Sequence, residues 1–140
     1  MSFLLDTCVI AEWVKPEPHE GVARWLAGAD EDHVFVSVIS MAEVRRGLER
    51  MPKGQRRDRI AAWLGEDLAA RFEGRILPVD VAVAQEWGAV VEKARSYGLT
   101  LGVMDAFLAA TARVRGLTLV TRNTREFRGL GLGVVDPWAG

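Results

Sequence analysis

The chain predicts an α/β fold, a three-layer α/β/α sandwich around a short, mainly parallel central sheet. Two patterns point there. Apolar runs of strand length alternate with longer segments of helical period along the whole chain. The helical segments between them can carry the chain back to a parallel neighbour and cover both faces of the sheet. Size is the third observation: 140 residues, 49% of them hydrophobic, suit one domain, taken as 1–140.

Taken in order, residues 2–6 read as a buried strand and residues 7–14 as a short helix. Lys15-Pro16-Glu17-Pro18 stops that helix, because proline disfavours the helical conformation in the residue before it. Residues 19–27 give a second helix with Val22, Ala23, Trp25 and Leu26 on its apolar side, then a turn over 28–32 and a second strand over 33–37. Ser40 is placed to cap a helix running to about Arg50. After Pro52-Lys53-Gly54 comes a long amphipathic helix with Ile60, Trp63, Leu64, Leu68 and Phe72 near helical spacing. Residues 75–79 suggest a third strand. Residues 81–97 form a helix stopped by Gly98, and residues 103–115 one closed by Gly116, glycine being the residue that ends helices in a left-handed turn. A strand over 117–121, a helical turn over 123–127 and a last strand over 133–135 complete the pattern.

Composition narrows the function. The single cysteine, Cys8, excludes an internal disulfide framework and a multi-cysteine zinc site, and it reads as a small packed residue. The chain shows no signal leader and no apolar run of membrane-spanning length, so the expected setting is cytoplasmic, without a membrane partner. The net charge of −1 conceals a polarity: residues 1–32 are acidic, whereas residues 45–59 carry Arg45, Arg46, Arg50, Lys53, Arg56, Arg57 and Arg59 against Glu49 and Asp58. Arginine suits phosphate recognition, and Arg46 and Arg50 are the candidates for an RNA contact; a solvated helix face explains the same run.

Three carboxylates carry the chemistry. Asp6 closes the first strand, Glu43 follows the second, and Asp105 stands in the first turn of the alanine-rich helix. In an open parallel sheet such positions converge on the crevice at the carboxyl ends of the strands. Three carboxylates meeting there repel one another unless a cation sits among them, and hard Mg²⁺, or Mn²⁺, favours such an all-oxygen environment. Structural explanations stand beside this one: Asp6 as a helix N-cap, Ser40-Met41-Ala42-Glu43 as a capping box, and Asp105 as a helix-dipole partner.

Four motifs then give the chain a resemblance. Phe3 to Ile10, with Asp6-Thr7 after an apolar run, Val36 to Val44, in which Ser precedes a helix bearing Glu43, Asp105 to Ala112, and Leu119 to Phe127, with its Thr-Arg-Asn and Glu-Phe pairs, resemble the successive motifs of PIN domains. Gly133 to Trp138 resembles their ending. Size and the Thr-Arg-Asn form are similar to the VapC toxins of bacterial toxin–antitoxin pairs, in the FitB-like branch. The resemblance implies a PIN-like fold and a metal-dependent endoribonuclease whose catalytic and metal-binding residues are Asp6, Glu43 and Asp105. It implies a Mg²⁺ or Mn²⁺ cofactor, water as the attacking group, and 5′-phosphate and 3′-hydroxyl products. Asn123 stands where the family often has a fourth acid, with Glu126 a substitute; Thr7 and Thr121 are supporting residues, able to bond a phosphate or simply to cap the helices that follow. The implied partners are RNA, a small VapB-like antitoxin, a second copy in a homodimer, and operator DNA through the antitoxin. The alternative is a regulatory or non-catalytic α/β module with an acidic Mg²⁺ pocket, receiver-like or a degenerate PIN domain. The lysines, only Lys15, Lys53 and Lys93, weigh against a receiver.

Overall fold

A computed structural model describes residues 1–139. Within them β1 (Phe3–Leu5), β2 (Val34–Ser37), β3 (Ile76–Leu77), β4 (Thr118–Val120) and β5 (Val134–Val135) form one sheet in the order β3-β2-β1-β4-β5, every described pair parallel. The chain moves outward from β1 through β2 to β3, then returns to the other side of β1 for β4 and β5. The strand order therefore reverses between β1 and β4, and ligands of open α/β sheets bind at such a reversal. Receiver-like sheets run 2-1-3-4-5 instead, so the receiver alternative falls on topology.

Successive strand residues point to opposite faces. Leu4 and Leu119 enter one core with Val83, Val90, Ala94, Ala106, Ala109 and Ala110, from α6 (Val81–Ser96) and α7 (Val103–Arg115). Leu5, Val34, Val36 and Val120 enter the other with Val9 and Ile10 of α1 (Thr7–Glu12), Val22 of α2 (Glu20–Gly28), and Leu64, Leu68 and Phe72. Between these layers α3 (Val38–Arg50) leaves β2 directly. The strands pair over two or three residues, shorter than the apolar runs suggest.

Both expected glycine stops are present. Gly116 is left-handed at φ 66°, with Leu117 N–H donated to Ala112 O at 2.8 Å; Gly98 repeats the arrangement at φ 73°, with Leu99 N–H on Ala94 O at 2.9 Å. The long helix after Gly54 is instead broken into α4 (Gln55–Ala62), a π-helical turn over Trp63–Leu68, and α5 (Ala69–Arg71). Its apolar residues Leu64, Leu68 and Phe72 are four apart, so on a regular α-helix the stripe would walk round by roughly 40° per step. A wider turn keeps all three on the core face.

Candidate active site

Asp6 is the first residue past β1, and its N–H continues the β1–β4 ladder to Val120 O at 2.9 Å. Its Oδ1 accepts Thr7 N–H at 2.6 Å, capping α1 as the structural explanation held. Its Oδ2 accepts the buried Thr121 hydroxyl at 2.6 Å. The cap and the site thus use different oxygens. The carboxyl is only 4% exposed, and burial pushes it above the ordinary range against the opposing bonds from Thr121 and Thr7.

Glu43 comes from α3 and meets α1. Its Oε1 accepts the Thr7 hydroxyl at 2.6 Å, and Ser40 Oγ lies 2.9 Å from the same hydroxyl. Thr7 has one proton to give; the nearer carboxylate takes it, leaving Ser40 to donate to Thr7. The capping-box reading of Glu43 is therefore overturned. The N-cap of α3 is Ser37, whose Oγ accepts Ile39 N–H at 3.0 Å, while Ser40 is buried inside the helix. Thr7 and Thr121 do not act as caps of the elements after them, whose N-caps are Asp6 and Asn123. Each threonine hydroxyl holds one of the acids.

Asp105 enters from the first turn of α7. Its carboxyl is pushed from 3.8 up to about 7, first by burial, then by the charge on Asp6, a hydrogen bond and charge from Glu126, and the charge on Glu43. Four acids from four elements thus act on one another at the strand reversal. Among the described residues no three His, Cys, Asp or Glu side chains are arranged to hold a metal ion as they stand. Asp6 and Glu43 are instead held by the two threonine hydroxyls. The all-oxygen donor set still suits a hard divalent cation, and admitting one means displacing the proton that Asp105 holds below about pH 7.

Of the two fourth-acid candidates, Glu126 faces Asp105 and Asp6. Asn123 is exposed and contributes its backbone N–H, donated to Thr121 Oγ1 at 3.1 Å, which helps fix the hydroxyl that holds Asp6. Cys8 was placed by sequence only as a packing residue. Its thiol lies beside the Asp6 carboxylate, the Thr121 hydroxyl and the Arg122 backbone N–H, and burial with the Asp6 charge pushes it to about 11. It stays protonated, so it is a neighbour of the acids and not a nucleophile. Only its position two residues after Asp6 hints at this.

Arg46 and Arg50 lie one and two turns beyond Glu43 on α3. With Ala42, Glu43, Gly47 and Met104 they line a groove of about 200 Å³ that opens from the acids. Other members of the arginine run are tied to Glu49: Arg57 at 3.0 Å and Arg45 at 3.5 Å.

Residues 3–131 match the family model described as PIN domain. The chain is 34% identical over 135 residues to the VapC ribonuclease Y4jK of Sinorhizobium fredii, covering 96% of each chain. It is 35% identical over 135 residues to Toxin FitB of Neisseria gonorrhoeae, covering 96% of this chain and 97% of that one. Among solved structures, a chain of FitAB bound to an IR36 DNA fragment superposes with a TM-score of 0.91 at 33% identity, covering 97% of this chain and 95% of the other.

Proposed function

This chain belongs to the PIN domain family, and from that premise we propose that it is a metal-dependent endoribonuclease, the toxin of a type II toxin–antitoxin pair. One observation carries the reading: Asp6, Glu43, Asp105 and Glu126 come together at the reversal of the strand order, where burial first and then the neighbouring acids raise Asp105 to about 7. Asp6, Glu43 and Asp105 are the catalytic and metal-holding residues. Glu126 supplies the fourth negative charge in place of Asn123.

Mg²⁺, with Mn²⁺ as the alternative, supplies neutralisation of the scissile phosphate and an acidified water when bound. The chain's own groups do the rest. The Thr121 and Thr7 hydroxyls hold the Asp6 and Glu43 carboxylates in place, so little reorganisation is left for the reaction itself. Asp105, raised to about 7, is suited to accept the proton leaving the attacking water. Arg46 and Arg50 line the path by which an RNA strand approaches Glu43. Hydrolysis leaves 5′-phosphate and 3′-hydroxyl ends.

The partners follow from the family reading: RNA as substrate, a small VapB-like antitoxin, a homodimer, and operator DNA bound through the antitoxin. No described helix is long and apolar enough to cross a membrane, and the proposed setting is the bacterial cytoplasm. Expression of the chain alone in bacteria should arrest growth and degrade host RNA. Asp6→Asn, or co-expression of the small gene encoded beside it, should relieve the arrest. Abundant, folded wild type with host RNA intact and no antitoxin present would contradict the proposal.

A further inference from the structure

The carboxyl edge of the sheet carries a second constellation beside the acids. β4 and β5 end together, with Thr121 N–H donated to Val135 O at 2.9 Å, so Arg122 and Asp136 leave the sheet side by side. Asp136 turns the chain at once, its Oδ1 accepting Trp138 N–H at 2.8 Å. The turn brings the Trp138 indole under the Arg122 guanidinium, 5.5 Å from the ring centroid. The His19 ring lies on the same indole at 6.1 Å, tilted by 41°. His19 is itself fixed: its N–H is donated to buried Glu12 at 2.9 Å, and its Nδ1 accepts Gly21 N–H at 3.1 Å, leaving Nε2 free.

A groove of about 350 Å³ opens here, with Arg24, Trp25 and Asp136 in its lining. Its walls are rigid. A Cβ at Gly21 would collide with the carbonyl oxygen of Pro137, so helix α2 and the end of the chain are in closest contact. The Trp25 indole is set edge-on against Phe3 at 5.0 Å and 89°. None of these side chains holds one of the four acids at the strand reversal or serves the hydrolytic step.

We propose that the Arg122–Trp138 pair and this groove form a stacking platform for one unpaired base of the RNA strand next to the scissile phosphate. The inference rests on the ribonuclease reading. The half-buried Trp138 indole, with His19 tilted against it, supports the exposed Arg122 guanidinium, and the flat surface left beside them can take a base in stacking that tolerates any sequence. Arg24 and Arg122 supply positive charge for the adjoining phosphates, while the free oxygen of Asp136 can accept an exocyclic amino group. The path is continuous with the acids, because the Arg122 backbone touches the Cys8 thiol that lies against Asp6. A strand whose phosphate sits at Asp6 passes Arg122 next.

The test is binding of labelled single-stranded RNA hexamers, followed by anisotropy with Mg²⁺ in the Asp105→Asn background, where the strand is retained. Trp138→Leu should weaken the hexamer by about tenfold, the loss expected for one stacked base, and leave a blunt RNA duplex unaffected, whereas Arg122→Gln, which also removes a charge from the phosphate path, should weaken the hexamer more than the duplex. In the otherwise wild-type chain the same changes should raise KM for a single-stranded substrate and keep kcat. Hexamer affinity unchanged in folded Arg122→Gln and Trp138→Leu overturns the platform. Should Trp138→Leu not fold, exposed Arg122 decides, through a loss larger for the hexamer than for the duplex. A wild type that cuts no RNA would remove the ribonuclease reading instead, with the binding series still reporting on the platform.

Discussion

An acid at about 7 in the folded chain and near 3.8 when unfolded holds its proton more tightly in the native state, and Asp105 is such an acid. Between those values the native state binds the extra proton, so raising the pH from about 4 to about 7 lowers stability, and the slope levels off above 7. Asp6 is shifted in the same direction and adds the same sign. In EDTA, wild type should therefore melt lower near pH 8 than near pH 5. Asp105→Asn should flatten most of that slope and melt above wild type near pH 8, as scanning calorimetry would show; an unchanged slope would mean the repulsion is not centred on Asp105. The same proton must leave when Mg²⁺ binds, so below pH 7 the apparent Mg²⁺ affinity should rise roughly tenfold per pH unit. Stability and chemistry pull this residue in opposite directions.

At the level of elements, α3 shows where sequence reading succeeds and where it stops. The strand and helix around Ser37 to Arg50 are legible from an apolar run followed by helical period, and so are the stops at Gly98 and Gly116, because glycine alone enters the left-handed turn cheaply. Which of two serines three residues apart caps the helix is not legible. The choice depends on β2 ending at Ser37, a matter of pairing with β3 through Ser37 and Leu77. Asp6 at a strand end and Asp105 in a first helical turn could be proposed because such positions face the crevice in this topology, whereas Glu43, expected near the start of its helix, lies in the second turn of α3. Their threonine partners and the Asp105–Glu126 contact join residues far apart in the chain, which no local pattern encodes. The π-helical turn was hidden for a related reason: a spacing of four fits a helix until the core demands one face. The cap assignment is testable. Ser37→Ala should destabilise the fold by about 1 kcal/mol in urea titration through loss of the N-cap. Ser40→Ala should leave that cap intact and instead disturb the Thr7–Glu43 contact, so a larger deficit in cleavage than in stability is expected. The reverse pattern would restore Ser40 as the cap.

Across the whole molecule, one parallel sheet with its strand order reversed between β1 and β4 gathers acids from four elements at a single edge, and α3 carries Arg46 and Arg50 outward from that point. Negative charge at the centre suits a cation, and positive charge along the approach suits a polyanion. If Arg46 and Arg50 each meet one phosphate, reversing both to Glu should lower the slope of log affinity for single-stranded RNA against log salt by about 1.4. An unchanged slope would return the run to a solvated face. The central claim, that the acids form one metal-dependent phosphodiester-cleaving unit, is tested most directly by incubating purified, partner-free protein with RNA in Mg²⁺ and in EDTA and identifying the ends of the fragments. Cleavage should require Mg²⁺, leave 5′-phosphate and 3′-hydroxyl ends, and be nearly abolished by Asp6→Asn, Glu43→Gln or Asp105→Asn in proteins that remain folded, with double variants adding little. Cleavage that persists in EDTA, or survives all three substitutions, would contradict the claim.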